Sequence, residues 1–244
     1  MKGRAFDFIL FILISVHGFA QGKDSTFYLN FLGTGNINTT NNSTAYIFNN
    51  VLRFNYNKKY ISVNTSTSYV YGENESLKTN NDFISVVDLD LFKNQRRLYY
   101  WALASYEKVF SLNLNDRFQA GAGIGFRIVN TKNAKLVLTD GPLYENTHFS
   151  IADLHGRLKY ETLRNSFRIK YHFVMKDLVV FDGVNFLQNS LSDGNDYNVR
   201  LLNSLSFKIR KWLSFTTSLN YNKLYLTGSE NFLLTYGLTM ERYF

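Results

Sequence analysis

From Phe232 to Phe244 the chain alternates with a period of two. Phe232, Leu234, Tyr236, Leu238 and Met240 share one side, and Thr235, Gly237, Thr239 and Glu241 share the other. That period is a strand, and a strand with one apolar and one polar side separates two media. The pattern recurs upstream. Phe118, Ala120, Ala122, Ile124, Phe126 and Ile128 oppose Gln119, Gly121, Gly123, Gly125 and Arg127; Phe167, Ile169, Tyr171, Phe173 and Met175 oppose Arg168, Lys170 and His172. Leu213, Phe215, Thr217, Leu219 and Tyr221 likewise oppose Ser214, Thr216, Ser218, Asn220 and Asn222. A wall with lipid outside and a polar lumen inside imposes this on every strand. Asn203 interrupts the face of Val199, Leu201, Leu205 and Phe207, and the sequence offers no reason for it.

The other end agrees. Lys2 and Arg4 precede an apolar run, Phe8 to Val16, followed by Gly18 and Ala20. These are the regions of a secretory signal, residues 1–20, leaving a mature barrel domain of residues 21–244. The run is too short to span a bilayer as a helix. The last strand, closing on Phe244 with Met240, Leu238 and Tyr236, resembles the signal read by the bacterial barrel-assembly machinery, with Arg242 at a position that is usually apolar. The expected fold is all-β, a single antiparallel transmembrane β-barrel in contact with outer-membrane lipid. The competing reading is a secreted periplasmic β-sandwich.

Composition sharpens this. Mean hydropathy is only -0.20 because each lipid-facing residue is diluted by a lumen-facing one. Seventeen Tyr and twenty-two Phe suit aromatic girdles at two interfaces better than one soluble core. The absence of cysteine excludes disulfides, thiolate metal sites and a cysteine nucleophile. Pro142 is the one proline, as expected of strands that cannot lose ladder donors where there is no water. The formal charge is +8, or +7 without the signal's Lys2, Arg4 and Asp7, and much of the surplus falls in turns.

Alternating runs predict strands at 25–37, 44–56, 60–72, 81–92, 97–108, 117–129, 134–145, 165–175, 178–190, 196–209, 212–224 and 232–244. That is about twelve, with ten or fourteen as alternatives. The connections alternate in length. Asn57 to Lys59, Lys93 to Arg96, Asn130 to Asn133, Lys176 to Asp177 and Arg210 to Lys211 are short and basic, whereas Thr39 to Ser43, Glu73 to Asn80 and Asn146 to Arg164 are longer and polar. Short periplasmic turns and longer outer loops are the barrel pattern.

Charge collects at positions of lumen parity: Arg53, Asp88, Asp90, Arg127, Arg168, Lys170, His172, Arg200, Lys208 and Glu241. Such groups either pair and fill a small barrel or line a narrow pore favouring a small anionic solute. Gly121, Gly123 and Gly125 alternate with Ala122 and Ile124 and continue as a strand, so they leave room for lumen side chains and do not cradle a phosphate. Glu145, His148, Asp153 and His155 fall together in the expected outer loop, where they could hold a divalent cation or form an acid/base pair, but their spacing matches no standard ligand set. A serine beside His172 would suggest a membrane hydrolase acting on lipid or peptide; no nucleophile elbow supports it. Aromatic and basic residues lie on opposite faces, which argues against a nucleic-acid platform. No cofactor is implied.

The run "AGAGIGFRIVN" with its continuation "LVLTDGPLYE", the run "LRNSFRIKYHFV", and the stretch from Leu178 to Phe215 with Asp196 and Tyr197 resemble the domain of unknown function 481 family, whose best-known members are called salt-induced outer-membrane proteins. The resemblance spans most of the mature chain from the third strand onward; Asn189 stands where members usually have proline. It implies an outer-membrane barrel. It implies no activity and therefore no catalytic residues. Two functions remain open: a non-enzymatic barrel that stabilises the envelope or passes small anions, and the hydrolase.

Overall fold

In the computed structural model the described residues are 26–39, 44–94 and 96–243. The expected signal segment, the loop after Thr39 and Phe244 lie outside them. The rest forms strands β1 (Phe27–Thr39), β2 (Thr44–Asn57), β3 (Ile61–Asn74), β4 (Leu77–Leu91), β5 (Leu98–Val109), β6 (Leu114–Asn130), β7 (Ala134–Asp140), β8 (Pro142–Phe149), β9 (Lys159–Met175), β10 (Val179–Ser190), β11 (Tyr197–Arg210), β12 (Leu213–Leu224) and β13 (Ser229–Tyr243). Each pairs antiparallel with its neighbours, and β1 closes on β13 through Tyr28↔Tyr243 to Gly35↔Tyr236. Segments β7 and β8 follow one another between β6 and β9. They are one stave interrupted at Gly141, so the barrel has twelve staves. Pro142 stands just past that interruption.

The face assignment follows from exposure. Phe232, Leu234, Tyr236, Leu238 and Met240 point outward, as do Phe118, Ile124, Phe126 and Ile128. Their alternates, such as Thr235, Thr239, Arg117 and Gln119, are buried. One rim, the turn end, carries the connections 58–60, 131–133, 176–178 and 211–212; the opposite rim is the loop end.

Two loop-end expectations need correction. Glu73–Asn80 is no long loop: β3 and β4 meet in a tight turn at Glu75 and Ser76, both with positive φ (52° and 65°). Such hairpin turns usually announce themselves with Asn-Gly or Asp-Gly, and the missing glycine hid this one. Asn146–Arg164 is also mostly wall. Strand pairing continues to Phe149 and resumes at Lys159, leaving 150–158 as the connection. Inward Glu145, Thr147, Thr162 and Arg164 made the segment read as polar loop. Phe149, placed by that reading in an exposed loop, is 5% exposed.

The loop end is covered. After β5 a 3-10 turn, Phe110–Leu112, folds inward, where Asp82 accepts from the Ser111 amide (3.1 Å) and hydroxyl (2.7 Å). Asn231 of β13 donates to the Ser111 hydroxyl (2.7 Å) from across the mouth. The Leu154 amide reaches the Leu226 carbonyl (2.8 Å), joining the 150–158 connection to that between β12 and β13. Beneath these bridges Val109, Leu112, Leu114, Phe149, Tyr160, Leu224 and Leu226 form one apolar cluster.

Candidate functional site

Below that cap the interior holds three charge clusters. In the first, Glu107 of β5 is fully buried and accepts from Arg117 Nε (3.2 Å) and Nη2 (2.5 Å), and from Arg200 Nη1 (2.7 Å) and Nη2 (2.8 Å). Arg200 Nε donates to Asn222 (2.8 Å). The first and last partners sit on β5 and β11, nearly opposite in the ring. A circular twelve-stave barrel is about 24 Å across its backbone, while an extended Glu and Arg joined by a hydrogen bond reach only about 15 Å. The section must therefore be flattened at this level.

In the second cluster Arg164 donates to both oxygens of Glu145 (2.9 and 3.0 Å) and lies 2.9 Å from Asp196. Tyr160 donates to Asp196 (3.0 Å), and Gln119 donates to Glu145 (2.6 Å) and Gln188 (3.1 Å). In the third, nearer the turn end, Asp88 of β4 accepts from Arg168 of β9 (3.1 and 3.4 Å) and from Lys170. Arg168 also donates to Thr139 (2.9 Å) and stacks over Trp101, 4.9 Å from the ring centre, and Phe186, 5.6 Å. These rings belong to a second apolar cluster of Tyr99, Trp101, Leu103, Val137 and Leu143. A cavity of about 30 Å³ between the clusters has room for a few waters.

The remaining candidates lie as follows. Asp90 is buried and pairs with Lys93. Arg53 reaches Asn30 (3.4 Å), and Glu241 accepts from Tyr28 (3.0 Å). Arg127 caps the turn end, donating to the Arg96 carbonyl (2.7 and 3.1 Å). Lys208 is half-buried at a bulge in β11. His172 Nδ1 is 2.6 Å from Asp182 on the next stave. Tyr236, Leu238 and Met240 are exposed on the outer wall.

The cation-site candidate does not assemble. Glu145 points inward to Arg164, His148 pairs with Asp116 (2.8 Å) on the outer face, and Asp153 accepts from the Arg157 amide (2.8 Å) and side chain (2.8 Å) and from the His155 amide (2.9 Å). Burial alone would raise the Asp153 carboxyl; those donors outweigh it and hold the group below its ordinary range. Sequence reasoning missed Glu107, Arg117, Arg164 and Asp196 as interior groups. Glu107 and Arg117 carried a signal, since both continue the alternation of Ser105 and Gln119.

The glycine strand has its physical reason too. A Cβ on Gly125 would fall 2.3 Å from the Tyr99 ring, so the glycine makes room for a lumen aromatic. Asn203 is also accounted for. Tyr171 crosses the bare backbone of Gly183 and donates to Asn203 Oδ1 (2.6 Å), and a Cβ on Gly183 would fall 2.1 Å from that ring.

A closed antiparallel ring with aromatic outer residues and a charged interior defines an outer-membrane β-barrel. The family described as "Protein of unknown function, DUF481" matches residues 32–231, and the chain belongs to it. Among solved structures, the NanC porin superposes with a TM-score of 0.51 at 10% identity, covering 89% of this chain and 99% of that one. An outer membrane channel from Pseudomonas putida F1 gives 0.50 at 8% identity, covering 92% and 97%. Identities this low carry the fold alone. No curated protein matches.

Proposed function

We propose that this protein is a non-enzymatic outer-membrane barrel, closed at rest in its loop half, that serves the envelope as a wall protein and not as a constitutively open anion pore. The observation that carries this reading is Glu107, which holds Arg117 and Arg200 from widely separated staves. A mobile anion crossing that level would have to replace Glu107 as the counterion of two guanidinium groups. In this reading export proceeds through residues 1–20, and the barrel-assembly machinery engages Tyr236, Leu238, Met240 and Phe244. The hydrolase reading loses support from register. Asp182 pairs with His172 on one side and Ser204 on the other, so that hydroxyl is two strand spacings, about 10 Å, from the imidazole. Refolded, heat-modifiable protein in planar bilayers is expected to give no steps above background. Discrete anion-selective conductance from wild type overturns the closed state.

A further inference from the structure

The outer wall is not uniformly apolar. Asp140, Asn165, Asn185, Asn189 and Asn203 all have outward parity, and they lie on four adjacent staves, β7/β8 to β11. Elsewhere in the described mid-wall outward amides stand singly, Asn50 on β2 and Asn81 on β4, and Asn81 accepts from Tyr69 (2.9 Å). Asp140, Asn185 and Asn203 stand six or seven residues from the turn end of their strands. That is about 20 Å along the strand and roughly 15 Å along the membrane normal at a tilt near 40°, inside an apolar band about 25 Å tall. An ionisable or amide group at that depth needs polar company, and lipid offers none. The monomer meets the need only in part. Asn165 donates to Asp140 (3.0 Å), Tyr171 donates to Asn203, and Asn185 Oδ1 is covered without a partner.

We propose that this face is the interface between two copies of the chain, related by a two-fold axis in the membrane. The chemistry selects that occupant. An amide carries both donors and acceptors, so a patch of amides is complementary to itself, as a two-fold contact requires. The one carboxylate, Asp140, finds donors in the amides of the opposite copy and needs no cation. Phe167, Ile169, Phe181, Leu187, Leu201 and Leu205 supply the apolar surround.

The test uses full-length protein in native membranes and lipid nanodiscs. Single cysteines at Asn165, Asn185, Asn189 and Asn203 are expected to give at least one disulfide-linked species of twice the chain mass, while Leu52→Cys on β2 gives none. Native mass spectrometry of wild-type nanodiscs should show two copies. The combined Asp140→Leu, Asn185→Leu and Asn203→Leu variant should lose the dimer and keep its heat-modifiable band. A wild-type monomer with no cross-link at any of the four sites overturns the proposal. So does cross-linking to a protein of different mass, dimerisation through Leu52→Cys, or a dimer that survives the folded triple variant. Should the triple variant not fold, the single-cysteine cross-links decide.

Discussion

Replacing Glu107 by Gln removes one charge and keeps the shape, so it isolates the electrostatics of the first interior cluster. The carboxylate is fully buried and receives four charge-assisted hydrogen bonds from two guanidinium groups, themselves 3% and 14% exposed at the side chain. Taking one partner out of a buried ion network strands the others, which costs about 3–5 kcal/mol. An exposed pair sets the contrast. Glu230 lies 3.9 Å from Lys223 with both side chains substantially solvated, and Glu230→Gln should cost under about 1 kcal/mol. Replacing the whole network (Glu107→Leu, Arg117→Met, Arg200→Met) should recover most of the loss, because a packed apolar group can substitute for a buried ionic one. The assay is urea unfolding in lipid vesicles followed by tryptophan fluorescence, since Trp101 lies inside the wall. If Glu107→Gln costs no more than Glu230→Gln, water must reach the cluster. The lumen would then be open to water at the level of Glu107.

Other expectations test the faces, the cap and the outer polar pair. Ala122→Arg points a charge at lipid and should cost about 2–4 kcal/mol; Gly123→Ala should also destabilise, for a different reason, because its Cβ would fall 2.2 Å from the Asp140 carbonyl. An apolar thiol reagent in the lipid should label a cysteine at 122 and not at 123. Asp153 has a depressed folded pKa, so its contribution is present above the unfolded value of about 3.9 and is lost as pH falls below it. Protection of the His155 and Arg157 amides, which both donate to that carboxylate, should therefore fall relative to intrinsic exchange below about pH 4, and Asp153→Asn should remove that dependence. Tyr171→Phe leaves the Asn203 oxygen unpaired and should destabilise by about 1 kcal/mol in the same urea assay.

Where alternation was clean, as in β6, β12 and β13, the sequence was enough to assign both element and face. It failed where local chemistry imitated something else. Glu75–Ser76 turns without glycine, so the β3–β4 hairpin read as a loop. Glu145, Thr147, Thr162 and Arg164 are polar because they face a packed interior, and at the end of a strand an inward polar residue is indistinguishable from a solvated one. Interior pairing was less legible still. Glu107 and Arg117 are ladder partners and could have been matched from the register of β5 and β6. Arg200 joins them from a stave far around the ring, and only the flattened section brings it there.

That flattening changes what the positive net charge means. Arg117, Arg164, Arg168, Lys170 and Arg200 face Asp88, Glu107, Glu145 and Asp196 inside the barrel, so the interior clusters are close to neutral. The surplus sits at the turn end instead, on Lys58, Lys59, Lys132, Lys176 and Lys211 and around Arg96 and Arg97. A basic rim raises the local concentration of anions at one mouth without lowering any barrier through the wall. Polyanions should therefore bind that rim weakly and reversibly, with an affinity that falls as salt is added over a Debye length near 8–10 Å. Reversing Lys58, Lys59, Arg96, Arg97, Lys132, Lys176 and Lys211 to Glu should abolish retention on a sulfated resin and leave the interior clusters intact. Retention that survives those reversals would place the effective positive charge inside the lumen, and the neutral interior would have to be abandoned.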